Sequence, residues 1–341
     1  MGELMFKNKN SKILVTGGAG FIGSEFVRQA VAQGLRVIIV DKLTYAGDLQ
    51  RLKAVKGKFI FHKVDIMHQD RVMDIFKKEQ PQAVVHFAAE SHVDRSILNA
   101  AEFVRSNIEG TQNLLTVCHK VGIKKFVHIS TDEVYGEIAR GKFKEHFPLR
   151  PNSPYSASKA SADLLVRAFI RTFGFPAVIL RPSNNYGPWQ YPEKFIPVII
   201  YKALKNEKIP VYAKGLNVRE WLHISDCAQA IQLALASGET GEVYNIGSGS
   251  ECRNIDLVRM ILKILGRSLD LISFVQDRPG HDLRYALNFK KIQDELSWQP
   301  RIAFEEGIAQ TVHWYKDNYR WLEGKVKFLQ HYWKQVYKAP C

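Results

Sequence analysis

Gly17-Gly18-Ala19-Gly20-Phe21-Ile22-Gly23-Ser24 follows directly on the apolar run Lys12-Ile13-Leu14-Val15-Thr16 and opens a segment in which Phe26, Ala30 and Val31 recur at helical spacing. Such a loop alone is either a plain tight turn or a phosphate-binding corner, and a strand before it with a helix after it points to the phosphate corner of a dinucleotide fold. The glycines permit a tight turn, let backbone approach a pyrophosphate and let the helix pack on the sheet, while the helix N-terminus offers free N–H groups. Asp41 ends the next apolar run, Arg36-Val37-Ile38-Ile39-Val40, 18 residues after Gly23. A carboxylate there accepts from adenosine ribose hydroxyls and repels a 2′-phosphate, so NAD is favoured over NADP. Lys42 beside it moderates that preference. Asp65-Ile66, after Phe59-Ile60-Phe61, either reaches the adenine or caps the next helix.

Three more runs continue the pattern: Ala83 to Phe87, Lys125 to Ile129 and Ala177 to Leu180. Helical spacing appears between them, in Phe103, Ile108 and Leu114-Leu115 and again in Leu164-Leu165, Phe169 and Phe173. Continuously apolar strands alternating with helices imply an α/β, Rossmann-type, doubly wound parallel sheet covered on both faces. After Arg181, Pro and Gly become frequent and the alternation breaks. The expected division is an NAD-binding domain over 1–182, to which about 221–247 return, a smaller mixed α/β substrate-binding domain over 183–319, and an extension over 320–341. No internal repeat or low-complexity tract is present.

A chain of 341 residues with 46% hydrophobic and 24% charged residues is globular, which excludes disordered and fibrous classes. Lys+Arg 48 against Asp+Glu 34 leaves +14, so anionic partners come first: nucleotide phosphates, nucleic acid or an acidic membrane surface. Cys118, Cys227, Cys252 and Cys341 lie far apart without a CxxC pair, so neither a disulfide framework nor a metal site is expected, and the thiols read as reduced and cytoplasmic. Met1 to Lys7 has no signal-peptide core, and nowhere do ~18 apolar residues run together.

Tyr155-Ser156-Ala157-Ser158-Lys159 puts a phenol and an ammonium on one helix face, with Pro154 suited to the first turn and Ser153 to its N-cap. The expectation is that Lys159 lowers the phenol pKa, so that a tyrosinate takes a proton from an alcohol as hydride leaves the same carbon. Ser130-Thr131-Asp132-Glu133-Val134-Tyr135-Gly136 ends the fifth run, at the ligand-facing edge of such a sheet. Its adjacent carboxyls are either a solvated acidic turn or an acid and a base, one held protonated by repulsion from the other.

Together with Asp41 to Gly47, Ala88-Ala89-Glu90-Ser91-His92-Val93-Asp94, Asn184 to Pro188, Tyr191 to Pro197 and Asp277-Arg278-Pro279-Gly280-His281-Asp282, these motifs resemble the dTDP-glucose 4,6-dehydratases of the extended short-chain dehydrogenase/reductase family, from about Lys12 to Tyr319. The resemblance implies a closed redox cycle. Bound NAD⁺ accepts hydride from C4 of the glucose while Tyr155, assisted by Lys159, removes the hydroxyl proton and Thr131 hydrogen-bonds the C4 oxygen. Glu133 then takes the C5 proton, Asp132 protonates the departing C6 hydroxyl, and hydride returns to C6. Relatives that are 4-epimerases lack both carboxylates, decarboxylases keep only the second, and inverting dehydratases lack the tyrosine.

Carried over residue by residue, the resemblance implies an NAD site of Gly17, Gly20, Phe21, Ile22, Gly23, Asp41, Lys42, Leu43, Thr44, Asp65, Ile66, Ala88, Ala89, Glu90, Ser91, Ser106, Tyr155, Lys159 and Asn185. Ser106 replaces the family's usual Thr and keeps the hydroxyl. Substrate contacts are expected from His92, Thr131, Asn184, Lys194, Phe195, Pro210, Tyr212, Arg219, Asn254, Arg278 and His281, the two arginines near the diphosphate. Tyr212 as strand packing and His281 as a helix cap are the alternatives. Trp189-Gln190-Tyr191 and Ala213 depart from the family pattern near the base, so UDP-glucose and CDP-glucose stay open beside dTDP-glucose.

The family also implies a homodimer through a four-helix bundle of helices near Phe103 to His119 and Tyr155 to Phe173. Beyond the resemblance, Arg320, Lys325, Lys327, Lys334 and Lys338 against Glu323 are interleaved with Trp321, Phe328, Tyr332, Trp333 and Tyr337. Such a segment docks on a membrane surface or partner, or packs across its own domain. Competing functions are a UDP-sugar 4-epimerase or decarboxylase, an idle NAD-binding sensor and a nucleic-acid module. No groove-reading element supports the last.

Overall fold

The apolar runs of the first half become strands β1 (Lys12–Thr16), β2 (Arg36–Val40), β3 (Phe59–His62), β4 (Ala83–His86), β5 (Lys125–Ile129) and β6 (Ala177–Pro182) in the computed structural model, which describes residues 11–337. Residues 1–7, Lys338 and Cys341, read above, lie outside the described residues. Three further strands, β7 (Asn184–Tyr186), β8 (Ile209–Tyr212) and β9 (Val218–His223), leave the sheet before β10 (Val243–Ile246) returns to pair in parallel with β6. The result is a seven-stranded parallel sheet in the order β3-β2-β1-β4-β5-β6-β10. Two small sheets join β7, β9 and β11 (Glu251–Arg253), and β8 with β12 (Ile272–Val275).

Every strand residue of β5 is buried, which explains the unbroken apolar runs: helices cover both faces. Alternate residues divide between two cores. Ile13 and Val15 of β1 pack with Phe26 and Val27 of helix α1 (Phe21–Ala32), whereas Leu14 packs with Leu114, Phe126 and Val166 on the other side. Strand order reverses between β1 and β4, and ligands of open α/β sheets sit outside the strand ends at such a point.

Helix α2 (Gln69–Glu79) follows β3. After α3 (Val93–Leu98), the helix expected over Phe103 to His119 is present as one unbroken run that changes its winding: α4 (Ala100–Phe103), a π-helical turn over Val104–Glu109 and α5 (Gly110–Val121). The wide turn drives Asn107 inward, where it accepts from the Glu90 amide (2.8 Å) and donates to Glu90 O (2.9 Å) and to Ser158 Oγ (2.8 Å). Helix α6 (Pro154–Phe173) carries a capping box between Ser153 and Ser156.

The second half adds α7 (Phe195–Leu204), α8 (Ile224–Ser237), α9 (Asn254–Leu265), α10 (Lys290–Leu296) and α11 (Phe304–Asp317). The extension forms α12 (Tyr319–Val326) and α13 (Gln330–Val336) and packs on its own chain: Leu322, Val326, Leu329, Tyr332 and Trp333 share a core with Ile199 and Ile261. It is anchored at both ends. Asp48 takes the Trp321 indole N–H (2.8 Å) and the Lys325 ammonium (2.8 Å), while the Tyr332 hydroxyl lies 3.2 Å from His92 Nδ1. Among the described residues no helix is long and apolar enough to cross a membrane.

Candidate active site

A cleft of about 1530 Å³, counted to its open mouth, lies over the ends of β1, β2, β4 and β5. Gly17, Gly20, Phe21, Ile22 and Gly23 form its floor. Gly17 has φ +68°, and a Cβ there would stand 2.6 Å from Ala88 N; one on Gly23 would strike the carbonyl of Gly17. The N-terminus of α1 has no side-chain cap, so its amides are free for an anion.

Asp41 receives the Ala19 amide on Oδ2 (3.0 Å) and the Leu43 amide on Oδ1 (2.8 Å), and burial still lifts its carboxyl above the ordinary value. Lys42 lies 3.3 Å from Asp65, which also takes the Met67 amide (3.1 Å). Lys42, Thr44, Asp65, Ile66, Ala88, Ala89, Glu90, Ser91, Ser106 and Asn185 complete this end; Leu43, at φ +57°, is outside the wall. The Oδ1 atoms of Asn184 and Asn185 and Ser183 Oγ are buried without partners while their residues line the cleft. Free helix amides, a floor closed to side chains and unpartnered amide oxygens fit a dinucleotide.

Thr131, Asp132 and Glu133 come from the end of β5, Tyr155 and Lys159 from the first turns of α6, and all five line the same cleft. Thr131 caps a 3-10 turn over Asp132–Tyr135, taking the Glu133 amide (3.3 Å) and donating to Asp132 Oδ1 (3.2 Å). Asp132 Oδ2 has no partner among the described residues. Burial first, then Glu133 and Glu220, hold the Asp132 carboxyl well above the usual carboxylate range. Burial also raises Glu133, but Arg278, Arg219 and Lys194 oppose it.

The expectation that Lys159 lowers the Tyr155 phenol is corrected: burial, then the Glu133 carboxylate, raises it, with Thr131 opposing. Lys159 instead donates to Ile129 O (2.6 Å), and burial brings its own pKa down to about 8, opposed by Asp163.

The wall of this cleft includes Asn184 and Lys194, the latter donating to Ser91 O (2.6 Å), but not His92, Phe195, Pro210, Tyr212, Arg219, Asn254, Arg278 or His281. Several of these form an adjoining cluster. Asp94 receives Arg278 Nη1 (2.9 Å) and the Tyr212 hydroxyl (3.0 Å), and the Tyr212 ring stands 5.8 Å from His281, which bonds Asp277 (2.6 Å) rather than capping a helix. Arg219 donates to Asp282 O (2.9 Å) and lies over Tyr285. His92 turns to Glu193 O (3.0 Å) and Tyr332. The field of Arg219 and Arg278 at Glu133 places the cluster against the carboxylate end of the cleft.

The sequence reading missed Asn107, which supports Glu90, and Asp163, which holds Arg181 (2.9 Å) beneath Lys159; only their placement beside cleft residues on α6 and the π turn marks them.

Residues 14–311 match the family described as GDP-mannose 4,6 dehydratase. The dTDP-glucose 4,6-dehydratase of Streptomyces niveus is 49% identical over 320 residues, covering 92% of this chain and 95% of that protein. The chain belongs to the nucleotide-sugar 4,6-dehydratase family. Among solved structures, DesIV, the dTDP-glucose 4,6-dehydratase of Streptomyces venezuelae crystallised with NAD, is similar at 46% identity and a TM-score of 0.90, over 92% of this chain and 99% of that one. A UDP-glucose 4-epimerase of Thermus thermophilus, in complex with NAD, is similar at 32% identity and a TM-score of 0.85, over 89% and 99%. A dehydratase-family chain thus shares its scaffold with epimerases. Among the described residues no group of three or more His, Cys, Asp or Glu could hold a metal ion.

Proposed function

We propose that this chain is an NAD-dependent hydro-lyase that converts dTDP-glucose to the 4-keto-6-deoxy sugar nucleotide. The observation that carries the reading is the neighbouring pair Asp132 and Glu133, in unlike surroundings, sharing one cleft with Tyr155 and Lys159. NAD, when bound, takes hydride from the sugar and later returns it, so no outside oxidant is required. Asp41, Lys42, Thr44, Asp65 and Ile66 would hold its adenosine end.

Tyr155 removes the C4 hydroxyl proton, with the Thr131 hydrogen bond opposing the burial that raises its phenol, Lys159 one turn away, and Thr131 also within reach of the C4 oxygen. The ketone acidifies C5–H, and Glu133 abstracts that proton with three cations favouring its ionised form. Asp132, kept protonated by burial and by its acidic neighbour, donates to the C6 hydroxyl, which leaves as water. Asn184 and Lys194, with Tyr212 and His281 of the adjoining cluster, hold the nucleotide, while Arg219 and Arg278 meet its diphosphate. Arg278 gives up or shares Asp94 to do so.

Incubation with dTDP-, UDP- and CDP-glucose in deuterated water, followed by NMR, tests this. The expected product, from dTDP-glucose above the others, is a 4-keto-6-deoxy sugar with deuterium at C5 and the original C4 hydrogen at C6. A C6 hydroxyl left intact with every nucleotide overturns the reading; inversion at C4 alone makes the chain an epimerase. We also propose a cytoplasmic homodimer through the helices over Phe103 to His119 and Tyr155 to Phe173, which expose Val104 (44%), Leu164 (56%) and Phe173 (51%). Sedimentation at monomer mass would reject it.

A further inference from the structure

Arg51 lies in the wall of the cleft, in a short 3-10 helix over Leu49–Val55, with 1% of its surface exposed. A buried guanidinium ordinarily sits against a carboxylate, because leaving a desolvated charge unpaired is costly. None is within ion-pair distance of Arg51 among the described residues. Nε donates to Trp189 O (3.1 Å), and Nη1 to Ala19 O (2.9 Å) and Ala46 O (2.5 Å), whereas Nη2 has no partner. The two nearest carboxylates are engaged: Asp41 takes the amides of Ala19 and Leu43, and Asp48 takes Lys325, Trp321 and the Gln50 amide. Burial draws the guanidinium down to about 10, which still leaves it charged at neutral pH. Carbonyl dipoles and the Trp321 ring, 5.9 Å away, compensate only in part.

The position of this charge says what completes it. Ala19 belongs to the glycine-rich loop, whose following helix turns uncapped amides to the same cleft. Ala46 belongs to the loop after β2, and Trp189 to the loop after β7, itself held at φ +71°. One side chain thus joins the three loops that frame the cofactor end, while Asp48 and Asp41 act on its charge only from beyond ion-pair distance and its Nη2 stays without a partner. We infer that Arg51 is a further cofactor-binding residue, whose counter-ion is the pyrophosphate of the bound dinucleotide. The inference rests on the reading of the cleft as an NAD site. An asparagine or lysine at this place would hold one or two of the same carbonyls without spreading charge across the three loops.

The test uses full-length wild type, Arg51→Met and Arg51→Lys, each stripped of bound nucleotide, and reads affinity by calorimetry and by the rise in unfolding temperature with NAD⁺, ADP-ribose and adenosine. In Arg51→Met the affinities for NAD⁺ and ADP-ribose are expected to fall about tenfold or more, as loss of a charge-assisted contact does. Adenosine, which has no pyrophosphate, should bind the three proteins alike, and Arg51→Lys should fall between the other two for ADP-ribose. Equal ADP-ribose affinity in wild type and Arg51→Met overturns the inference. So does an equal loss for all three ligands, which makes Arg51 a loop scaffold alone. Absence of any NAD⁺ effect on wild type instead rejects the dinucleotide reading.

Discussion

Asp132 and Glu133 differ by one position in the chain and by far more in surroundings. The first has two carboxylates, Glu133 and Glu220, against one cation, Arg219; the second has three cations against one carboxylate, Asp282. Replacing Glu133 by Gln keeps the size and removes the base, so C5 deuterium incorporation and turnover should drop by at least ~100-fold, the ordinary contribution of a positioned base. NADH should then accumulate after substrate is added, read at its absorbance; normal turnover would reassign the base. Lys159 carries a pH signature. Its buried ammonium loses its proton from about pH 8 upward, so kcat/KM should fall on the alkaline side near there. Lys159→Arg, which stays charged, should move that limb to higher pH, and a pH–rate profile checks it. Tyr155 and Lys159 were legible because four residues of helix bring them together without help from the rest of the chain. Arg278 was legible as a motif, but not its pairing with Asp94 across 184 residues, since no local spacing encodes a contact of that range. Arg51 carried no signal, being a lone cation in a helix-like stretch.

Elements made from short-range rules were readable, and those made by tertiary contacts were not. Ser153 and Pro154 announced the start of α6, and the capping box is found there. Alternation of apolar runs gave strands β1 to β6, but the spacing that predicted a helix over Phe103 to His119 gave no sign of the π turn within it. That turn is held by what Asn107 bonds in distant segments, Glu90 and Ser158, and helical periodicity is blind to such bonds. Asn107→Ala leaves the Glu90 amide and carbonyl without those partners. A loss of about 1–3 kcal/mol is expected in urea unfolding, together with weaker NAD binding, because Glu90 lines the cofactor cleft. Stability and NAD affinity both equal to wild type would show that the turn stands without it.

At the scale of the molecule, two buried histidines on neighbouring strands tie stability to pH. His86 and His128 face each other at 5.4 Å in the core, and burial holds both below the ordinary value, His128 at about 4. As pH falls from about 6.5 to 4, the unfolded chain takes up protons that the native state refuses, so stability is lost through that window, by up to ~1.4 kcal/mol per pH unit for each such histidine. Urea midpoints at pH 7, 6 and 5 should decline, and His128→Asn should flatten the decline. The pairing of β10 with β6 also has a consequence in time. Some 60 residues separate the end of β6 from the start of β10, so at ~5–20 residues per second a ribosome leaves the β6 edge uncovered for roughly 3–12 s in every nascent chain. For that interval the sheet presents an open apolar edge to its neighbours. Crowding of polysomes, more than any property of the finished enzyme, would then set how much of it aggregates when overproduced, and slowing translation between the two strands should lower the soluble yield.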